Sequence, residues 1–309
     1  MTIDKSLPGI QKNILLKNFT TFKIGGKAKY FYVAKTKKDL ILTIKTAKEL
    51  KLPFFILGGG SNLLISDDGF KGLVIKILFS KFYFLNSKII AEAGTRLGDL
   101  VGASAKKSLT GLEWAAGIPG TVGGAINGNA GLPNESAGDI VKEIEAFDLR
   151  DFKIKKFKNK DCKFSYRDSV FKHKKNLIIL SAALQLKKGN KNKITEKIKK
   201  YLEYKKNTQP LDYPSAGSVF KNPKGFSAAR TGKEDKSSSL SFTAARMIEE
   251  CGLKGKKIGN AKISEKHANF IVNLGSARAK DVEKLIKLMK QKVKNKFGAV
   301  LEEEITVLS

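Results

Sequence analysis

Residues 54–64 read FFILGGGSNLL: four apolar side chains run directly into three glycines, followed by a Ser-Asn pair and more apolar chain. Side chains are absent where something must approach the backbone closely. Successive glycines at a strand end take positive φ and can present their N–H groups as a concave nest for oxygen anions. What precedes the glycines is equally constrained. KYFYVA at 29–34 has strand character, KDLILTIKTAKELK sets Leu40, Ile44 and Ala47 on one stripe with lysines opposite, and PFFIL returns as a buried strand. A βαβ unit therefore fills roughly the first 60 residues, with a right-handed crossover to a parallel neighbour as its default.

A second glycine-rich segment, AGIPGTVGGAINGNAG, spans 116–131. Neither segment is a familiar nucleotide cradle. Counted from Gly58 and Gly60, the third position of GxGxxG falls on Leu63, and ISDDGF beyond it is a turn, not a helix start. A Walker loop is absent as well. Diphosphate held by loops between domains remains open, and either segment alone reads equally well as a set of tight turns.

Further along, GLVIKI and KIIAEAGT read as strands, LGDLVGASAKKS as a helix, and EIEAFDLRD and NLIILSAALQL as later strands, a second α+β region ending near residue 205. The lysine-rich stretch KKGNKNKITEKIKKYLEYKKNTQP reads as an exposed helix leading into a third region. There, FTAARMIEECGLKG is a helix closed by Gly252, and SARAKDVEKLIKLMKQKVKNKFG carries Val282, Leu285, Ile286, Met289 and Val293 at helical spacing up to Gly298. VLEEEITVL has the residues of a final strand, with Leu301, Glu303, Ile305 and Val307 on one face and Glu302, Glu304 and Thr306 on the other. Residues 226–241, FSAARTGKEDKSSSLS, read as a loop or insertion.

Composition narrows the function classes. The chain has 309 residues, 41% of them hydrophobic, enough for two or three domains with an ordinary core. Two distant cysteines, Cys162 and Cys251, make no disulfide framework and point to a reducing cytoplasm. Two histidines and no HExxH pattern argue against a bound metal, and no apolar run approaches the roughly 18 residues of a membrane span. The net charge of +30 invites a nucleic-acid reading. However, six of the 59 basic residues are Arg and the lysines are spread evenly, without aromatic interleaving. The field suits anionic small molecules and gives no recognition stripe for nucleic acid.

Single residues stay ambiguous. Arg167 in FSYRDSVFK could hold a carboxylate or enolate bidentately, or form an Arg–Asp pair inside the fold. Ser218 in PSAGSVFKNP could donate a proton or be a turn residue. Glu304 is an acid near a reaction or a polar residue at the core edge, and His267 reads as a satisfied structural histidine. There is no GxSxG elbow, which argues against a hydrolase triad.

Taken together, seven colinear segments resemble the UDP-N-acetylenolpyruvoylglucosamine reductase family across nearly the whole chain. They are NFTTFKIGGKAKYF, LGGGSNLLISDDGFKGLVIKI, GLEWAAGIPGTVGGAINGNAG, YRDSVFK, AGSVFKNP, AARMIEECGLKGKKIGNAKISEKHANFIVN and the closing LEEEI. The resemblance implies an α+β chain: a two-domain FAD-binding fold of the vanillyl-alcohol-oxidase (PCMH) type, here 1–74 and 75–205, and a C-terminal α/β substrate-binding domain, 206–309, whose last strand returns to the active site. It implies that Gly58, Gly59, Gly60, Ser61 and Asn62, with Ile118, Pro119, Gly120, Gly123 and Gly124, hold FAD. It also implies a cytoplasmic, monomeric enzyme that takes hydride from NADPH and reduces the enolpyruvyl ether of a UDP-sugar, with no nucleic-acid partner. Arg167 would stabilise the enolate, Ser218 would deliver the proton, and Glu304 would share it. Lys221 and Asn222 would meet the nucleotide sugar. The 51 positions from Arg167 to Ser218 match the shorter class without an extra tyrosine-bearing loop, and 226–241 looks inserted. Another FAD-dependent oxidoreductase of the same fold is the alternative reading.

Overall fold

The computed structural model describes residues 3–223 and 243–309. In chain order its principal elements begin with strands β1 (Gln11–Leu15) and β2 (Lys27–Ala34), helix α1 (Lys37–Glu49), and strands β3 (Phe54–Leu57), β4 (Leu63–Ile65) and β5 (Phe70–Ile77). Strands β6 (Phe82–Leu85) and β7 (Lys88–Glu92), helices α2 (Leu97–Lys106), α3 (Val122–Asn127) and α4 (Ala137–Ile140), and strands β8 (Val141–Asp148), β9 (Lys153–Lys158) and β10 (Leu177–Gln185) follow. The chain continues through helix α5 (Lys191–Thr208), strand β11 (Ser215–Ser218), helix α6 (Ala244–Glu250), strands β12 (Lys257–Ile258), β13 (Ala261–Ile263) and β14 (Phe270–Asn273), helix α7 (Ala279–Phe297) and strand β15 (Thr306–Leu308). The inserted-looking segment 226–241 lies outside the described residues.

The chain forms two units. The first comprises residues 1–13, 29–59 and 71–205, and the second comprises 14–28, 60–70 and 206–309. Each has its own apolar core.

In the first, a four-stranded sheet has the order β1–β2–β5–β3, and a five-stranded antiparallel sheet has the order β9–β8–β10–β7–β6. Helix α1 forms where its stripe predicts, burying Leu40, Ile44 and Ala47. Its start is a reciprocal capping box, in which Thr36 Oγ1 accepts from Asp39 N at 3.0 Å and Asp39 Oδ2 accepts from Thr36 N at 2.9 Å. The βαβ expectation needs one correction: β2 and β3 are not neighbours, because β5 lies between them and pairs parallel with β3. The reason is burial. Leu73, Val74 and Ile75 of β5 are fully buried, as a central strand covered on both faces requires, whereas three of the four β3 residues are only half-buried.

The second unit carries a four-stranded antiparallel sheet of order β11–β14–β13–β12, packed by α7. Val282, Leu285, Ile286, Met289 and Val293 are all buried, and Gly298 at φ +68° ends the helix in the left-handed conformation. The C-terminal tail departs from simple alternation. Leu301 and Ile305 are buried as expected, but the chain bends at Ile305, so Leu308 turns inward and Val307 is 43% exposed. Only Thr306–Leu308 forms a strand, parallel to β4 with Thr306 opposite Leu63. A bend shifts the two-residue period by one, and every later side chain changes face. His267 also differs from expectation. Its Nδ1 is buried without a hydrogen-bond partner, its ring meets Phe270 edge-on at 4.8 Å, and burial lowers its pKa.

Candidate active site

In the first unit the two glycine segments meet. A Cβ on Gly59 would lie 2.7 Å from Gly120 Cα, and one on Gly58 would lie 2.9 Å from Thr121 Oγ1. The Gly59 contact is with backbone and admits no side chain, whereas the Gly58 contact is with a hydroxyl that can rotate away. Part of the bareness that the sequence reading assigns to a ligand is thus demanded by the chain itself. The same holds for Gly60 in the second unit, at φ +68°, where a Cβ would come within 2.0 Å of Phe19 O.

The loop of 116–124 is laced to its surroundings. Gly120 O accepts from Leu97 N at 3.2 Å, Val122 N donates to Thr95 O at 2.9 Å, and Gly123 N donates to Ala93 O at 2.9 Å. Ile118 N donates to Ala115 O at 3.0 Å. The amide N–H groups of Ile118 and Gly123 are therefore spent inside the fold and are not free to meet a diphosphate. Thr121 was not singled out from sequence. Its buried hydroxyl Oγ1 has no hydrogen-bond partner and faces the bare Cα of Gly58. A buried hydroxyl without a partner costs free energy, which a ligand acceptor would recover.

Two lysines stand behind these loops. Lys76 Nζ donates to Gly58 O, and Lys205 Nζ donates to Ala116 O. Lys205, on the helix expected to be exposed, is 4% exposed, and burial pushes its pKa down to about 8. Burial also lowers that of Lys76. Neither lysine forms an ion pair among the described residues, so their positive charge favours an anion at the loops. A rigid glycine cradle, an unpartnered hydroxyl and two uncompensated cations fit a dinucleotide diphosphate.

Arg167 belongs to the same unit. It occupies a turn in the left-handed region, φ +54°, where Ser165 and Asp168 exchange two backbone hydrogen bonds of 3.1 Å. Its Nη2 donates to Gly131 O at 2.8 Å, and its guanidinium lies 5.4 Å from the Tyr166 ring centroid. A cavity of 440 Å³ opens beside it, bordered by Asn129, Leu132, Glu135, Phe164 and Tyr166. The neighbouring acid, Asp168, holds His173 Nε2 at 2.8 Å.

The second unit gathers Ser218, Lys221, Asn222 and Glu304 with Gly60, Ser61 and Asn62. Ser218 ends β11, opposite Phe270, after a bulge at Gly217, φ +80°. The tail lies along its other edge: Glu304 N donates to Val219 O at 2.8 Å, Lys221 N donates to Glu302 O at 2.9 Å, and Phe220 pairs with Glu303. Backbone pairing thus brings Glu304 beside the Ser218 strand. Asn62 fastens this tail, since Nδ2 donates to Glu304 O at 3.0 Å and its carbonyl accepts from Thr306 N at 2.9 Å. Asn269, missed from sequence, clamps Phe220 by accepting from its N at 3.0 Å and donating to its O at 2.8 Å. Asn222 caps α6 by accepting from Ala244 N at 3.0 Å, and Lys221 Nζ pairs with Glu302 at 3.2 Å. Glu303 pairs with Lys290 at 2.5 Å.

Comparison with known proteins supplies the context for this geometry. Residues 28–156 match the FAD binding domain model, and residues 209–308 match that of the UDP-N-acetylenolpyruvoylglucosamine reductase C-terminal domain. The UDP-N-acetylenolpyruvoylglucosamine reductase of Clostridium novyi is 38% identical over 300 residues, 97% of this chain and 92% of that protein. That of Caldicellulosiruptor saccharolyticus is 43% identical over 293 residues, 94% and 89% respectively. Among solved structures, the reductase of Thermus caldophilus superposes with a TM-score of 0.78 at 34% identity, covering 97% of this chain and all of that one. Identity at this level over nearly the full length, with both domain models in order, places this chain in the UDP-N-acetylenolpyruvoylglucosamine reductase family, an α+β FAD-binding fold followed by the family's C-terminal domain.

Proposed function

We propose that this chain is an FAD-dependent oxidoreductase that converts UDP-N-acetylglucosamine enolpyruvate to UDP-N-acetylmuramate in peptidoglycan synthesis, with NADPH as the electron source. The carrying observation is the meeting of Gly58 and Gly59 with Gly120 and Thr121, with the Thr121 hydroxyl unpartnered at the junction. Bound there, FAD supplies the hydride. Once hydride has reached the methylene carbon of the enolpyruvyl ether, negative charge is left on the carbon next to the carboxylate, and the chain must stabilise it and then protonate it.

Arg167 performs the first task. A planar guanidinium meets carboxylate and enolate oxygens in a fork, and its hydrogen bond to Gly131 O sets its orientation. Ser218 performs the second, giving its hydroxyl proton to the carbon. A serine is a weak acid, so its conjugate oxygen must be short-lived and well supported. Glu304, on the strand paired to Val219, shares the proton with it. Lys221 and Asn222 meet the nucleotide sugar from the same strand's end. The enzyme works as a cytoplasmic monomer on a small-molecule substrate; no described helix is long and apolar enough to cross a membrane.

The test is direct. Purified protein is examined for flavin absorbance and then mixed with NADPH and the enolpyruvyl nucleotide sugar. Absence of both a flavin band and substrate-dependent NADPH oxidation would refute the assignment.

A further inference from the structure

We propose that Asn129 is a positioning residue for this reaction: its buried carboxamide locks the exit of the second glycine loop to the turn that carries Arg167, and so sets where the guanidinium points. The inference rests on the reading of Arg167 as the group that meets the developing enolate.

Three hydrogen bonds join the two segments. Ser169 Oγ donates to Asn127 O at 2.8 Å, Asn129 Nδ2 donates to Ser165 O at 2.8 Å, and Arg167 Nη2 donates to Gly131 O at 2.8 Å. Alternate residues of 127–131 thus hold alternate residues of 165–169. Asn129 is the only one of these links made by a side chain of the loop, and it uses both ends of its amide, for Oδ1 accepts from Gly138 N at 2.8 Å. It therefore ties the Arg167 turn to the start of α4 as well. Gly138 in turn lies under Phe164, where a Cβ would come within 2.8 Å of the ring.

The geometry is over-determined. Asn129 is 7% exposed and at φ +41°, a conformation Asn tolerates better than most side chains. Arg167 at φ +54° is also left-handed, and such a turn persists only when its surroundings hold it. The carbonyl that orients the guanidinium, Gly131 O, is two residues beyond the Asn129 anchor. Truncating Asn129 removes the acceptor of Gly138 N and the tie to Ser165 O, which keeps only its bond from Asp168 N, so the turn loses its anchor to the loop and the guanidinium moves with it. Displacement of a catalytic group by about 1 Å costs on the order of 100-fold in rate.

The experiment uses the FAD-loaded enzyme and separates the half-reactions by stopped flow. Asn129→Ala should lower the rate of enolpyruvyl-substrate reduction by about 100-fold while FAD content and reduction by NADPH change less than about threefold. Asn129→Asp keeps the acceptor for Gly138 N and sets an oxygen against Ser165 O. It guards against a folding defect, and should show the same selective loss with a near-normal melting temperature. The decisive arm is Arg167→Lys with and without Asn129→Ala. If Asn129 acts through Arg167, the double variant is no slower than Arg167→Lys within about threefold. A further full 100-fold loss, or equal loss in both half-reactions, overturns the inference. Wild-type rates in Arg167→Lys alone instead overturn the role of Arg167 on which it rests.

Discussion

Lys205 offers a sharp test of the electrostatics at the glycine loops. The residue is 4% exposed, and its ammonium makes no ion pair among the described residues and bonds only to a carbonyl, that of Ala116. A lysine moved from 10.5 to about 8 binds its proton in the fold with a penalty of roughly 3 kcal/mol relative to the unfolded chain. The sign follows. With the folded value below the unfolded one, the unfolded chain holds more protons between pH 8 and 10.5, so stability rises with pH across that window. Below pH 8 the full penalty is present. Lys205→Met removes it and also removes the bond to Ala116 O, which contributes about 1 kcal/mol. In FAD-free protein the variant should therefore be more stable than wild type by about 2 kcal/mol at pH 7, and the advantage should vanish or reverse by about 1 kcal/mol near pH 10.5. Urea unfolding at half-unit pH steps measures the difference. Curves that stay parallel from pH 7 to 10.5, or a variant less stable at pH 7, would show that the ammonium is compensated and the reasoning wrong.

Four further outcomes are expected. Thr121→Val, an isosteric change, should raise the FAD dissociation constant by about 5- to 10-fold, measured by flavin fluorescence, as loss of one hydrogen bond predicts; unchanged affinity would mean the hydroxyl does not meet the cofactor. Gly59→Ala must push a methyl into Gly120, 2.7 Å away, and should yield protein that purifies without flavin colour. Ser218→Ala should keep FAD reduction by NADPH and lose most turnover of the enolpyruvyl substrate, and equal loss of both would remove the proton-donor role. Asp148 is buried among Arg150, Lys155 and Asn176, and the Arg150 hydrogen bonds hold its carboxyl well below the usual range. Its contribution is present above the ordinary carboxyl value of 3.8 and lost as pH falls below it. Asp148→Asn should accordingly flatten the acid side of the melting-temperature profile.

Much of the fold was legible because periodicity records burial directly. The apolar stripes of α1 and α7, and the glycines that end α6 and α7, stand where the sequence pattern puts them. Strand order was less accessible. Nothing local distinguishes PFFIL from GLVIKI enough to show that the second inserts beside the first, since that depends on which strand the rest of the chain covers. The tail shows the same limit, because one bend at Ile305 reverses the faces of Val307 and Leu308.

The candidate site divides in the same manner. The residue types that could hold a diphosphate or meet an enolate were visible in the chain, because bare backbone, a guanidinium and a hydroxyl carry their chemistry with them. Thr121, Asn129, Lys205 and Asn269 gave no such signal. Each acquires a role only from neighbours far away in sequence: Thr121 from the bare Gly58 it faces, Lys205 from a carbonyl 89 residues earlier, Asn129 from one 36 residues later, and Asn269 from Phe220, 49 residues before it. Local composition and pattern determined which elements form and which chemistries are available. Tertiary structure alone decided which buried polar groups are satisfied, because a hydrogen bond or a desolvated charge exists only once both partners are in place.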